Sequence, residues 1–381
     1  MAPRSRVTVG ALVVAATAGH AFYPAVVALG SRGRRPALPA DPDPWPDVTV
    51  LVPAYNEANC IEAKVRDVLA NGYPGAVEVL VVADGDPDTA ARAERAGATV
   101  VTAEERLGKS QAINLGFSKV STPVVVLSDA NNTFVPGAIA ALVRYFTDPR
   151  VGAVAGAKVE ADGGGEDLYW RFESWLKSRE WAMGTTIGLV GEIAAVRTDA
   201  FEPIPADVAV DDLWLALDLS ARGYVVAYEP QAKAYEPPAQ STGQQWERRT
   251  RIVAGALHVF QLRRAQLLPG GGLVTGQIWG HRLARYTLGP LAHLALLWSA
   301  LRRVRTSRLA RLFLAGHIVA GGTLARAASG ARGAAPAPRP TPGRRVAQAL
   351  AQAVFLDAVA IGGTIRYLRG DRPARWQTVR R

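Results

Sequence analysis

Three stretches decide the fold: VTVLVPAYNEAN (48–59), VEVLVVADGD (77–86) and PVVVLSDANN (123–132). Each begins with a run of apolar, largely β-branched residues and ends in polar and acidic ones. Short runs of this kind, bounded by turn residues, are typical of buried strands. The segments between them carry apolar residues at helical spacing. This alternation predicts an α/β domain with a mostly parallel sheet and helices on both faces.

In detail, the pattern predicts four strands and three helices in the first part of this domain. The strands are expected at 48–53, 77–84, 98–103 and 123–130, and the helices at 56–70, 87–97 and 109–120. Ligands of such sheets bind at the carboxyl ends of the strands. Glu57, Asp84 and Asp129 come at or just after predicted strand ends, so we expect the three carboxylates to lie at one edge of the sheet.

The N-terminal segment is apolar. Residues 7–30 are uncharged and long enough to cross a bilayer, and arginines stand on both sides of them. A cleaved signal peptide is the alternative, but the length of the run and the bulky residues near its end disfavour it. Residues 36–47, rich in Pro and Asp, are typical of a stiff linker.

The C-terminal segment is strongly basic. Residues 281–381 carry 18 Arg, no Lys and only two acids, around apolar stretches near 283–300, 309–325 and 346–365. Each stretch either spans a bilayer or lies in its interface. We therefore predict a transmembrane helix at 1–35, a linker at 36–47, the α/β domain at 48–265 and a membrane-associated region at 266–381. The several apolar stretches predict a multi-pass protein of the cell membrane. The slight excess of Arg after residue 30 predicts that its central domain lies in the cytoplasm.

Charge and motifs exclude several classes of protein. The formal net charge is +11, but the basic residues flank apolar segments and the middle of the chain is net acidic. This pattern indicates anionic lipid headgroups and disfavours nucleic acid as a partner. The single cysteine, Cys60, excludes an internal disulfide. The chain contains no G-x-G-x-x-G after the first strand, no Walker A loop and no G-x-S-x-G.

Five motifs in order resemble the family 2 inverting glycosyltransferases of the GT-A fold, over roughly residues 48–255. They are VPAYNEANCI (52–61), VVADGDPDTA (81–90), RLGKSQAINLGF (106–117), VVVLSDANNTF (124–134) and VDDLWLALDLSARGYVVAYEPQAKAYEPP (210–238). The resemblance implies a nucleotide-diphospho-sugar transferase domain of GT-A fold, flanked here by N- and C-terminal membrane helices, with a UDP-sugar as donor. The residues then expected to contact the donor are Pro53, Tyr55, Glu57, Asp84, Lys109, Asp129, Arg248 and Arg251.

A divalent metal, Mg²⁺ or Mn²⁺, is expected at the end of the fourth strand. Sugar transfer leaves negative charge on the diphosphate, and a hard cation with oxygen ligands stabilises it. Asp129 and Asn131 place two oxygen ligands on one side of an extended turn. The family usually has a second acid at the position of Asn131, so the charge on the metal site is lower here. The alternative is an ordinary Asx turn.

The acceptor must lose a proton as it attacks, which requires a base opposite the leaving group. Adjacent carboxylates such as Asp211 and Asp212 repel each other, which raises a pKa. The family motif makes Asp212 the general base and places Asp211, Gly191 and Glu192 on the acceptor side. The alternative for Asp211 is capping of the helix that begins there.

Two further segments have open interpretations. ERRTRIVAG (247–255) stands at the place of the family's Q-x-x-R-W motif and keeps only Arg251, which disfavours processive synthesis. Its arginines suit diphosphate binding, or a solvated or lipid-facing basic helix. The aromatic residues of DLYWRFESWLKSREW (167–181) favour core or membrane-interface packing over a sugar platform.

Together these features predict a membrane-bound, metal-dependent enzyme that moves one hexosyl or N-acetylhexosaminyl group from a UDP-sugar to a lipid-linked or cell-envelope glycan. The alternatives are a processive polysaccharide synthase, a nucleotidyltransferase, and a non-catalytic membrane scaffold with a degenerate transferase domain. The retained Asp84, Asp129 and Asp212 weigh against the scaffold.

Overall fold

The structure is a computed structural model of the chain, and it describes residues 3–160, 165–237, 241–329 and 341–371. At its centre is one eight-stranded sheet. The strands are β1 Val48–Ala54, β2 Val77–Asp84, β3 Thr99–Ala103, β4 Val124–Leu127, β5 Thr133–Phe134, β6 Val151–Glu160, β7 Ala194–Arg197 and β8 Val225–Glu236.

The strand order is β3-β2-β1-β4-β7-β6-β8-β5. The first four strands in this order are mutually parallel, and β6 is parallel to β8. Strand β7 is antiparallel to both β4 and β6, and β5 is antiparallel to β8. The predicted α/β fold with a mostly parallel sheet is confirmed. The antiparallel strands all lie in the half of the sheet that follows β4 in this order.

Helices cover both faces of the sheet and continue beyond it. They are α1 Pro3–Thr17, α2 Tyr23–Gly30, α3 Ile61–Leu69, α4 Pro87–Arg95, α5 Lys109–Phe117, α6 Ala138–Val143, α7 Gly165–Ala182, α8 Asp211–Ala221, α9 Thr242–Leu262, α10 Gly272–Gln277, α11 Gly289–Arg302, α12 Arg308–Ser329 and α13 Pro342–Leu368. π-Helical segments at Ala18–Phe22 and Ile278–Leu288 join α1 to α2 and α10 to α11.

Strand residues alternate between two cores. In β1, Leu51 faces a core built with α5, α8 and α9, whereas Val50 and Val52 face a core built with α3, α4 and α6. All three side chains are fully buried. Because both faces of the sheet are covered, the strands are continuous runs of apolar residues. Polar side chains therefore occur mainly at the ends of the strands.

The first helix of the sheet domain begins later than predicted, at Ile61 instead of residue 56. Asn56 adopts a left-handed conformation with φ of 56°, which asparagine tolerates better than most residues. The backbone amide of Asn56 donates to Asp86, and that of Glu57 donates to the Thr89 hydroxyl. These bonds hold residues 55–60 in a turn, so the turn forms part of the site edge.

Two helical stretches of the described residues are long and apolar enough to cross a membrane, Thr8–Gly30 and Gly343–Leu368. Only 17% and 28% of their apolar windows are buried, respectively, so neither is a core helix of the sheet domain. The predicted stretch at 346–365 falls in the second of them. The stretch at 283–300 covers the end of the π-helical segment Ile278–Leu288 and most of α11, and the stretch at 309–325 lies in α12. Neither stretch combines the length and the hydropathy of the other two. The domain limits at 35, 47 and 265 stay predictions.

Candidate active site

Parallel pairing brings the carboxyl ends of β1, β2 and β4 to one edge, where Glu57, Asp84 and Asp129 follow. Asp84 ends β2 and is 3% exposed. Its two carboxylate oxygens accept hydrogen bonds from the backbone amides of Leu107 and Gly108, at 2.6 and 2.9 Å. Asp84 therefore fixes the turn that leads into α5 and presents Lys109.

Pro53 and Glu57 flank the turn after β1. Pro53 lies buried within the strand, opposite Val82 of β2. Glu57 is buried and accepts a hydrogen bond from the Cys60 thiol at 3.0 Å. These two predicted donor contacts are thus part of the wall of the sheet edge.

Tyr55 holds a cation against its ring. The Arg106 guanidinium lies 4.0 Å from the centre of the Tyr55 ring. Two nitrogens of Arg106, Nε and Nη2, are buried and find no hydrogen-bond partner among the described residues. Arg106 was not among the predicted site residues, although it stands in the quoted motif RLGKSQAINLGF.

Lys109 connects two carboxylates. Its Nζ lies 2.7 Å from Asp129 Oδ1 and 3.9 Å from Asp211 Oδ2. Burial lowers the pKa of Lys109, but Asp129 and Asp211 together raise it above its usual value. A Cβ at Gly191 would meet Lys109 Nζ at 3.0 Å, so the absence of a side chain there lets the ammonium group reach its position.

Asn131 offers a free acceptor next to Asp129. Its Nδ2 donates to Glu236 at 3.3 Å, while its Oδ1 is buried and has no hydrogen-bond partner in the described part of the chain. Burial and the nearby glutamates Glu192 and Glu236 raise the pKa of Asp129, against the opposing effect of Lys109. Within the ranges that the structure describes, no three His, Cys, Asp or Glu side chains converge on a common metal position.

A buried ion cluster lies behind Asn131. Lys158, on β6, is fully buried and its Nζ lies 2.9 Å from Glu192 Oε1 and also contacts Glu236. Arg248 donates to the same Glu192 oxygen at 2.8 Å and to Glu236 at 3.3 Å. Burial raises the pKa of Glu192, but Lys158 and Arg248 outweigh it and hold that pKa well below the usual range. Glu192 therefore stays ionised, and its lowered pKa makes it a weak proton acceptor and a poor general base.

Asp211 and Asp212 open α8, as predicted. Asp211 Oδ2 is buried without a hydrogen-bond partner in the described chain, and Val210 occupies the cap position without a side-chain bond, so Asp211 does not cap the helix. Burial first, and then the charges of Asp211 and Glu192, raise the pKa of Asp212 to about 7. A carboxylate with such a pKa can take up a proton near neutral pH.

A cavity of about 160 Å³ adjoins Asp212. Glu192, Asp212 and Arg248 line it on the side of the sheet domain. Tyr169 and Trp170 of α7 also line it; they are two of the aromatic residues for which packing was favoured over a sugar platform. Side chains of the flanking helices complete the wall, among them His20, Leu356 and Val359.

The structure thus separates the predicted site residues into two groups. Lys109, Asp129, Asn131 and Gly191 lie at the sheet edge, while Asp212, Glu192 and Arg248 line the cavity. Arg251, on the same helix as Arg248, is half-buried and does not line the cavity. Burial and the neighbouring Arg248 lower its pKa.

Besides Arg106, sequence reasoning missed four site residues: Lys158, Lys177, Glu236 and Arg282. Lys158 carried a usable signal, because it is the only charged residue before the last position of the apolar strand VGAVAGAKVE (151–160). A lysine in such a strand requires buried acidic partners. Glu236 ends a strand, as Asp84 does. Lys177 and Arg282 stand among aromatic and basic residues in the sequence, so nothing local distinguishes them as site residues.

Comparisons with known proteins agree with this geometry. The family described as glycosyl transferase family 2 matches residues 49–204. The chain is 26% identical over 228 residues to poly-β-1,6-N-acetyl-D-glucosamine synthase of Staphylococcus aureus, which covers 56% of this chain and 55% of the synthase. It is 26% identical over 259 residues to the probable glycosyltransferase YdaM of Bacillus subtilis, over 58% of this chain and 60% of that protein. The chain thus spans little more than half the length of these relatives.

A solved structure shares the fold over nearly the whole chain. It is the mannosyltransferase PcManGT from Pyrobaculum calidifontis in complex with GDP-Man and Mn²⁺, with a TM-score of 0.73 and 24% identity. The match covers 95% of this chain and 98% of that one, so the shared fold includes flanking helices as well as the sheet. Residues 49–204 are thus similar to glycosyl transferase family 2, and the chain has the GT-A fold.

Proposed function

We propose that the protein transfers one sugar, with inversion, from a UDP-sugar to a lipid-linked or cell-envelope glycan acceptor. The observation that carries the proposal is the placement of Asp212. It combines a pKa of about 7 with a position on a cavity, while Asp129 and Lys109 lie at the neighbouring sheet edge. A base on one side and a charged leaving-group site on the other are what inverting transfer requires.

In this proposal Asp212 accepts the proton of the attacking acceptor hydroxyl. Asp211 keeps the pKa of Asp212 raised, and Glu192 contributes to the same effect. The acceptor lies in the cavity beside Asp212, with Gly191 and Glu192 between it and the donor. Because Glu192 is engaged by Lys158 and Arg248, it orients the cleft and holds no proton.

The donor occupies the strand-end side. Glu57 and Asp84 bind the nucleoside, with Pro53 and Tyr55 forming the wall of its site. Because Asp84 uses both oxygens on backbone amides, it acts chiefly by holding the turn of Leu107 and Gly108 against the nucleotide. Lys109, Arg248 and Arg251 supply positive charge for the diphosphate, and ionised partners make such contacts stronger than neutral ones.

The residues present fit a divalent cation, Mg²⁺ or Mn²⁺. Asn131 Oδ1 is buried and unbonded in the described chain, and it stands two residues from the Asp129 carboxylate. Ions such as Mg²⁺ are commonly held by one or two carboxylates together with substrate phosphates, so a small protein ligand set is sufficient. When bound, the cation would neutralise charge that develops on the leaving diphosphate. The complex of PcManGT with Mn²⁺ supports this choice.

A processive polysaccharide synthase is the second candidate, because one relative is named a poly-β-1,6-N-acetyl-D-glucosamine synthase. The replacement of the Q-x-x-R-W motif by Arg248-Arg249-Thr250-Arg251-Ile252 favours single transfer. The length of the glycan product distinguishes a single-transfer enzyme from a processive synthase. Repeated addition to one acceptor would select the synthase.

The proposed location is the cell membrane, with several spans and the sheet domain on the cytoplasmic side. Two stretches of membrane-crossing length and composition support this, one on each side of the sheet domain in sequence. A donor made in the cytoplasm would then reach the strand-end side directly.

The test is nucleotide release from UDP-sugars and GDP-mannose by the detergent-solubilised protein, with Mg²⁺ or Mn²⁺ and with EDTA. We expect metal-dependent release from one donor, and a loss of at least about 100-fold in Asp212→Asn, because general-base catalysis is worth that much. Asp129→Ala should lose metal dependence, and the exposed Asp88→Asn is the control. Absence of both release and metal-dependent nucleotide binding would favour the scaffold.

A further inference from the structure

The cavity beside Asp212 reaches both stretches that are long enough to cross a membrane. His20 lies within Thr8–Gly30, and Leu356, Val359 and Ala360 lie within Gly343–Leu368. The same cavity is lined by Asp212 at the start of α8. A molecule that fills it therefore contacts the proposed base and apolar side chains of a membrane-type helix at the same time.

Lys177 is a buried cation that faces this cavity without an anionic partner. Its side chain belongs to α7 and the residue is 2% exposed. It makes no hydrogen bond or ion pair with the described part of the chain, and its Nζ rests 4.8 Å from the centre of the Tyr228 ring. Burial lowers the pKa of Lys177 to about 8. A buried ammonium group without a partner is costly, which indicates that something else completes its site.

Arg282 is a second cation of the cavity with unused donors. Its only hydrogen bond to the described residues is a long one, 3.5 Å, to the Tyr286 hydroxyl, and its Nε is buried without a partner. Burial lowers the pKa of Arg282, but Tyr286, Glu173 and Tyr169, and to a smaller extent Asp212, raise it above its usual value. Arg282 thus lies within the electrostatic reach of the proposed base.

Three other cations of the cavity wall have partners within the described chain, although Arg285 Nη2 makes no hydrogen bond there; Arg249 lies over the Tyr169 ring. Arg248 pairs with Glu192, and Arg285 pairs with Glu173. Glu173 also accepts from His281 at 2.9 Å. Lys177 and Arg282, in contrast, form no ion pair with the described chain, so they are the cations best placed to bind an incoming anion.

The nucleotide is not that anion. Glu57, Asp84 and Asp129, which the proposed function assigns to the donor, do not line the cavity. Arg248, which is also assigned to the donor, lines it but is paired with Glu192. The cavity lies on the acceptor side of Glu192, and part of its wall is apolar, including Leu356, Val359 and Ala360. An anion bound there therefore belongs to the acceptor.

Resting on the proposed function, we propose that the acceptor is an amphiphile in which a phosphate joins an apolar chain to the attacking hydroxyl. Lys177 and Arg282 bind the phosphate, the chain lies against Leu356, Val359 and Ala360, and the hydroxyl reaches Asp212. In the transfer step the acceptor oxygen bonds to the anomeric carbon, the bond from that carbon to the diphosphate breaks, and Asp212 takes the hydroxyl proton.

The test measures lipid binding without donor, by native mass spectrometry of the detergent-solubilised full chain. The first probe, dioleoyl phosphatidylglycerol, carries the apolar chains, the phosphate and the hydroxyl. Dioleoylglycerol lacks the phosphate, and glycerol 3-phosphate lacks the apolar chains. Phosphatidylglycerol should bind at least about ten-fold more tightly than either of the others, since charged hydrogen bonds are worth that much. Lys177→Met and Arg282→Gln should each lose about ten-fold, while the exposed Lys119→Met and Arg95→Gln keep wild-type binding.

Several results would overturn the proposal. If dioleoylglycerol bound as tightly as phosphatidylglycerol, the site would not recognise a phosphate. If glycerol 3-phosphate bound as tightly as phosphatidylglycerol, the site would bind a soluble phosphate ester and not a lipid. Loss of nucleotide binding in Lys177→Met, as large as the loss of lipid binding, would assign the cation to the donor. A wild-type protein that binds phosphatidylglycerol but releases no nucleotide from any sugar donor would contradict the proposed function alone.

Discussion

At the scale of single residues, the chemistry of the site depends on how two adjacent carboxylates differ. Asp211 faces Lys109, whereas Asp212 faces the cavity and carries the raised pKa. Only the ionised form of Asp212 can accept a proton, so activity should fall as the pH drops through about 7. Above that pH the base is ready without further adjustment.

Asp211→Asn tests this division. Removing the charge of Asp211 should lower the pKa of Asp212, so the acidic limb of the pH profile of kcat/KM moves to lower pH. The limb should stay above the ordinary aspartate range of about 4, because burial is the larger cause of the raised pKa. The profile of Asp88→Asn should match the wild type. A limb that does not move, or moves upward, would contradict the role given to Asp211.

At the scale of elements, the ends of three strands meet at one buried ion cluster. Lys158 from β6, Glu192 before β7 and Glu236 at the end of β8 share their charges with Arg248 of α9. Removing one partner of a buried pair leaves an uncompensated charge, which costs more than the pair itself contributes. The cluster thus fixes how α9 lies against the sheet.

Lys158→Met should lower the free energy of unfolding by about 3–5 kcal/mol at pH 7, because Glu192 and Glu236 then share only Arg248. Lys158 helps hold the pKa of Glu192 below its usual range, so its contribution is present above that range and is lost as the pH falls below about 4. Chemical unfolding at pH 7 and at pH values well below 4 measures both effects, with the exposed Lys119→Met as the control. A variant as stable as the wild type at pH 7 would refute the argument.

Sequence reasoning located the elements better than the contacts between them. The period of apolar residues is a local property, so the limits of β2 and the start of α8 at Asp211 came out as predicted. The late start of α3 was not predicted, because the turn before it depends on hydrogen bonds to Asp86 and Thr89 from a different part of the chain. The partners of Lys158, Glu192 and Glu236, are equally distant in sequence, and no local pattern encodes them.

At the scale of the whole molecule, a buried polar network ties the N-terminal helical stretch to the sheet domain. Glu180 of α7 accepts hydrogen bonds from Tyr23 at 2.7 Å and Thr186 at 2.6 Å, and pairs with His281. Arg285 donates to the backbone oxygen of Gly19 at 3.0 Å. These contacts set the position of a membrane-type helix relative to α7, whose Lys177 faces the cavity.

Tyr23→Phe should weaken this attachment. Glu180 would keep His281 and Thr186 but lose one charged hydrogen bond, which contributes about 1.5–3 kcal/mol. We expect a lower thermal midpoint in detergent and faster proteolysis near the N-terminal stretch. Tyr235→Phe, at an exposed tyrosine of β8, controls for the loss of a hydroxyl elsewhere. Unchanged midpoint and proteolysis would mean that the helix is held by apolar contacts alone.

The position of Lys109 has a consequence for how the two substrates influence each other. One ammonium group serves Asp129 on the donor side and Asp211 on the acceptor side. A ligand that changes the charge near one of these carboxylates therefore changes how strongly the ammonium group of Lys109 interacts with the other carboxylate. By thermodynamic linkage, the factor by which the donor changes acceptor affinity equals the factor by which the acceptor changes donor affinity. Cooperativity between the substrates would then pass through a single side chain, and comparing their coupling energy in the wild type and in Lys109→Met measures it.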